Sequence, residues 1–220
     1  MSASATPLET VTDDLLATPT ARLPYQHDVL LRSYLLRRST GNVLVYNSPG
    51  IAQAADAINA AGGAELLLIN HAHESMYGRP PINVPIAVHR ADWDDIARAM
   101  PVAQVYDGPQ TIGDDLEVIP TPGHTPGTTS YLWDSGTHRY LFTGDFIWIE
   151  GGEWKAVVLD PGLRSAYVRS LEIVRDLDFD VLVPWGASED GSPVAITSEP
   201  GEAAERIQMI IDRVSMGGSR

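Results

Sequence analysis

Short, uninterrupted apolar runs constrain this chain most: LLLI at 66–69, PIAV at 85–88, YLFTG at 140–144 and VLVPW at 181–185. Each is too short for a core helix and apolar on successive residues, the pattern of a strand buried within a layered sheet rather than one that shows a face to water. Helical stretches separate them. Residues 49–63 have helical composition ending in glycines that suit a C-cap, and 90–100, 163–177 and 201–214 read as further helices, the last amphipathic. Residues 33–47 read as two strands around a Ser-Thr-Gly-Asn turn, and 116–121, 127–133 and 139–145 as three more. IWIEGGEWK at 147–155 reads as a loop. Hairpins early and strand–helix alternation later predict a layered α/β domain over 21–220, with residues 1–20 a loose arm or a short lead-in strand. No repeat and no linker divides it.

Composition narrows the function classes. The net charge is −14, with one lysine (Lys155) among 15 basic residues and no basic stripe, which argues against nucleic-acid partners. There is no cysteine, so disulfides, thiolate ligands and cysteine nucleophiles are excluded. No run approaches the ~20 apolar residues that cross a bilayer. Residues 1–20 have neither a basic start nor an apolar stretch, so a cytoplasmic location is the expectation. Oligomeric state is not legible.

The chemistry gathers where apolar runs end. His71 and His73 leave the 64–70 run in NHAHESMYG, and a His-x-His pair at a strand end can aim both rings at one ion. His124 lies in the Pro/Gly-rich turn TPGHTPG, and Asp145 ends YLFTGD behind a glycine. Open α/β layers collect their sites at such C-terminal strand ends.

LLLINHAHESMYG, TPGHTPGTTSYLW, YLFTGDF and DVLVPW, in this order and spacing, resemble the metallo-β-lactamase-fold superfamily, with a glyoxalase-II-like character, over about residues 30–185. The resemblance implies an αββα sandwich of two mixed sheets flanked by helices, with a metal site at one edge. Carried over by position, His71, His73 and His124 match three ligands and Asp145 the bridging carboxylate. Three positions depart from the two-metal pattern: Ser75 stands for an aspartate, Met76 for a histidine, and PWGAS at 184–188 lacks the final histidine. At most one metal is therefore expected: zinc for three nitrogens and one oxygen, or iron, since two histidines and a carboxylate form the facial triad that persulfide dioxygenases of this superfamily use.

The expected activity is that of a hydrolase acting on a small molecule through metal-activated water, with Asp145 completing or orienting the site. Glu74 is the candidate base in place of the missing aspartate. The alternatives are a metal-free, non-catalytic ligand-binding member of the fold and a mononuclear iron oxygenase. β-Lactam hydrolysis is not expected, because ligands on which zinc β-lactamases rely are absent. Trp148, Trp154 and Trp185 either build a pocket or pack the core. Asp92, Asp94 and Asp95 read as a helix start without a catalytic role. Arg79, His27, His89 and His138 read as ordinary surface or structural residues, and Glu189 and Asp190 as solvated loop positions.

Overall fold

The structure is a computed structural model and describes residues 6–219. Residues 1–5 and 220, including the start of the expected N-terminal arm, lie outside the described residues. Seven strands form the first sheet, in the order Glu9–Thr10, Leu15–Ala17, Tyr34–Leu36, Val43–Val45, Leu66–Leu68, Ile86–His89 and Gln104–Tyr106. The first four pair antiparallel and the rest parallel. Within residues 6–20 two short strands form, Glu9–Thr10 and Leu15–Ala17. Leu15 is fully buried and its strand pairs with Tyr34–Leu36, because three apolar residues there have a core to enter.

The second β layer consists of two hydrogen-bonded sheets. One runs Gln110–Ile112, Leu116–Pro120, Thr129–Asp134, Arg139–Gly144, Val181–Pro184 and Ala195–Ile196; the other runs Glu153–Ala156, Ile147–Glu150, Gly186–Ser188, Gln26–Leu31 and Ala21–Leu23. Residues 139–150 and 181–188 pass from one to the other, the strands interrupted at residues 145–146 and at Trp185, with a register shift between Phe142 and Gly144. Gly144 makes the break possible. Its φ is +59°, and a Cβ there would overlap the Asn70 side chain, so only glycine lets the strand end while bringing residue 145 beside the histidine loop.

Alternation along the strands divides the core into three. Leu66 and Leu68 face the second β layer with Tyr131, Phe142 and Trp185, while Leu67 and Ile69 face the helices Gly50–Gln53, Ala55–Ala60 and Trp93–Ala97 through Ile51, Ile58 and Ile96. On the far side, Leu141, Ile147 and Leu182 meet the helices Arg164–Arg175 and Glu202–Ser215. The first of these buries Tyr167, Leu171 and Val174, the second Ile207, Ile210, Ile211 and Val214, at the three- and four-residue spacing of an amphipathic helix. Each such side chain contributes about 1.5–3 kcal/mol on burial. Four layers result, helix–sheet–sheet–helix, the expected αββα sandwich.

Residues 147–155 differ from expectation. They form a hairpin, Ile147–Glu150 with Glu153–Ala156, around Gly151 and Gly152, both at positive φ. The alternation IWIE–GG–EWK is the signature of such a turn.

Candidate metal centre and cleft

The strand Leu66–Leu68 delivers its chain to His71, which caps a 3-10 turn, Ala72–Tyr77, that carries His73. His71 is extended and fully buried. Its Nδ1 lies 2.9 Å from Asn70 Oδ1, and Asn70 in turn donates to the Thr129 carbonyl. With that nitrogen donating, Nε2 faces inward as a lone-pair donor. It has no hydrogen-bond partner despite its burial.

His124 comes from the turn after Leu116–Pro120, where Gly123 passes so close to Tyr167 that a Cβ would lie 2.7 Å from its backbone and ring. Its Nδ1 donates to the Val157 carbonyl at 2.8 Å, which likewise turns Nε2 inward. His73 Nδ1 approaches that Nε2 at 3.0 Å. The three rings have centroids 4.9–5.1 Å apart and stand nearly perpendicular to one another. Asp145, on the turn at Gly144, places Oδ2 3.6 Å from His71 Nε2 and 3.8 Å from His124 Nε2. One donor atom from each of the four residues falls within 4.8 Å of all the others.

These separations fit one small cation. Donors ~2.0–2.1 Å from a tetrahedral zinc sit roughly 3.3–3.4 Å apart, close to the spacings seen. Burial keeps the imidazoles neutral, the form that binds metal: it drives His71 well below the usual histidine pKa and lowers His73 and His124 as well. Enclosure has the opposite sign on Asp145, whose pKa rises to about 6.

Two acidic residues have roles that differ from those expected. Glu74 is not placed as a base. Its buried carboxylate accepts from the backbone N–H groups of Asn47, Asn70 and His71 at 2.6, 2.7 and 3.2 Å, and it does not line the cleft; it braces the loop that aims His71. Asp92 is more than a helix start. It is buried and accepts from Ala72 N at 2.8 Å, Gly127 N at 2.7 Å and Thr125 Oγ1 at 2.5 Å, tying the His71–His73 loop to the His124 turn. A buried carboxylate with three donors is a positioning residue. Its sequence signal was only an acid opening a helix, shared with Asp94 and Asp95.

On the other side of Asp145, Ser75, Met76 and Gly186 line the cleft. Trp185 is buried against His71, ring centroids 5.2 Å apart, and donates to the Asn47 carbonyl at 3.1 Å. Trp148 lines the cleft, whereas Trp154 packs on the outer face beneath the Arg206 guanidinium. Arg79 does not line it. His27 is exposed, His89 accepts from Ala91 N, and His138 neighbours Asp180; none joins the cluster. Glu189 is held by Arg22. The cleft, of about 780 Å³, takes one wall from residues 23–31 and another from 157–159, neither evident in sequence.

The sequence pattern of the metallo-beta-lactamase superfamily matches residues 69–186, more than half of the chain and every residue of the cluster. The chain belongs to that superfamily. Solved structures share its fold. A metallo-beta-lactamase of Cronobacter sakazakii with a HARLDQ motif superposes with a TM-score of 0.64 at 14% identity, over 96% of this chain and 97% of that one. BJP-1, a subclass B3 enzyme of Bradyrhizobium japonicum, gives 0.60 at 17% over 96% and 94%. GOB-18 of Elizabethkingia meningoseptica gives 0.60 at 16% over 96% and 90%. No protein of curated function matches in sequence. Among the described residues, no helix is long and apolar enough to cross a membrane.

Proposed function

We propose that this superfamily member is a hydrolase of small molecules that works with a single zinc ion held by His71, His73 and His124, with Asp145 beside it. The observation that carries this reading is His71 Nε2, a buried nitrogen aimed at three other donors and lacking a hydrogen bond. A buried polar atom without a partner costs about 1–3 kcal/mol, a penalty that a bound cation removes. When bound, zinc supplies Lewis acidity and lowers the pKa of a coordinated water from ~16 toward ~7.

The protein's own groups do the rest. Asn70 and Val157 hold two imidazoles in the tautomer with Nε2 inward. Asp145, its side chain one-fifth exposed, lines the cleft together with His73 and His124, where a carboxylate oxygen can accept a proton from water arriving with substrate. Ser75, Met76 and Gly186 offer no second set of strong donors, which supports one ion rather than two.

Elemental analysis after purification in zinc-supplemented buffer tests the reading. One equivalent of zinc is expected in the natural protein and none in His71→Ala/His124→Ala, with ester hydrolysis lost in parallel; unchanged metal in the double variant would overturn it. The His73–His124 contact of 3.0 Å favours one competing reading, since a hydrogen bond there satisfies two imidazoles without an ion. That binding-protein reading predicts no retained metal and no turnover.

A further inference from the structure

We infer that the cleft selects uncharged substrates carrying an apolar limb, and discriminates against a charge of either sign placed away from the reacting bond. The inference rests on the hydrolase reading only for where that bond lies. The limb would run from Asp145 along Val29, Leu31 and Trp148 toward a mouth formed by Tyr25, Met76 and Leu159. Those three are exposed by 69%, 46% and 58%, large apolar side chains left in water where the cleft opens. Apolar surface gathered at the mouth of a cavity is what a binding site for an apolar ligand presents.

The charges decide the rest. Among the described residues, no lysine or arginine lines this cleft. An anion on the limb would leave water with no cation to meet it. Its acidic side chains are Asp92, Asp95 and Asp145, with the phenol of Tyr25 at the mouth. Asp92 accepts three hydrogen bonds, Asp95 pairs with Arg98 at 2.5 Å, and Asp145 faces the imidazoles. The Asp95 side chain is 62% exposed in its pair with Arg98, so it offers a cationic limb only a solvent-screened partner, while the apolar walls would strip that limb's hydration.

Three probes of matched length test this: octanamide, its ω-carboxylate analogue suberamic acid, and its ω-ammonium analogue 8-aminooctanamide. Calorimetric titration into the zinc-supplemented protein should show octanamide binding at least about tenfold more tightly than either charged probe. Charged probes binding within twofold of octanamide would overturn the inference. With 4-nitrophenyl esters, kcat/KM should climb roughly threefold to fourfold per added methylene from butyrate to octanoate; a flat series overturns it too. Octanamide preference without ester turnover would sink the hydrolase reading and leave the ligand class standing. Leu159→Lys alters an exposed side chain and should bring suberamic acid at least fivefold closer to octanamide. An unchanged ratio would show that the limb does not end at this mouth.

Discussion

On one side of Asp145 three imidazoles converge, and the groups behind them are as ordered as the rings: Asn70, the Val157 carbonyl, Glu74 and Asp92 each hold a ring or its loop. On the other side, Ser75, Met76 and Gly186 present a hydroxyl, a thioether and a glycine, and the residue before that glycine, Trp185, is buried against His71. Both sides lie at one edge of the sandwich and share the strand ends that deliver them. The imidazole cluster thus depends on more than its own rings. The supporting hydrogen bonds persist where donors persist, and apolar packing takes over where they do not.

The largest effect should come from Trp185→Ala. Removing a fully buried indole leaves a cavity beside His71 and an unpaired Asn47 carbonyl, costing about 3–5 kcal/mol in denaturant unfolding of the metal-free protein. A loss under 1 kcal/mol would mean that the indole is a surface-like filler and that the two sides are not built differently. Asp92→Asn comes next. An amide keeps one acceptor oxygen and turns the other position into a donor, so it cannot meet all three donors; both histidine loops loosen and metal affinity falls roughly 10–100-fold by chelator competition. Equal affinity in that variant would assign Asp92 to folding alone.

Ser75→Asp/Met76→His sharpens the contrast by returning donors to the depleted side. A second, weaker equivalent of zinc is expected by elemental analysis; a stoichiometry that stays at one would show that shape, not donor chemistry, closes that side. Position 186 already points to crowding, since a Cβ there would sit 2.9 Å from Val29 and 3.1 Å from Leu31.

The smallest effect lies far from both. Arg38 holds the Asp115 carboxyl below its usual pKa. A depressed folded-state value means that this pair's stability is fully present above the ordinary pKa of 3.8 and is lost as pH falls through the lowered one. Asp115→Asn should flatten that acid limb, by less than about 1 kcal/mol as for a partly exposed ion pair, without touching metal content. A change in metal content would show that the cleft is coupled to this distant edge.

Much of the molecule was legible in its residues. Runs such as LLLI and VLVPW announced strands covered on both faces because burial on two sides removes the need for polar alternation. The four residues that cluster were in view too: His71, His73 and Asp145 follow such runs, and His124 lies in the turn after a strand. The hairpin 147–156 was hidden by its brevity, although its Gly-Gly turn was in view. Glu74 and Asp92 misled for one reason. A carboxylate beside a histidine pair, or at a helix start, has the same local sequence whether it faces a substrate or three backbone amides.

What the chain determines by itself is therefore the alternation of layers and which residues are able to act as donors, because burial and ligand chemistry act on single side chains and their immediate spacing. Tertiary structure alone decided which acids became braces, that residues 21–31 would wall the cleft, and that no cation would line it among the described residues. Those outcomes depend on contacts between segments far apart in the chain, such as Asp92 with Gly127 and Gly186 with Leu31. No local pattern encodes which distant group a side chain will meet.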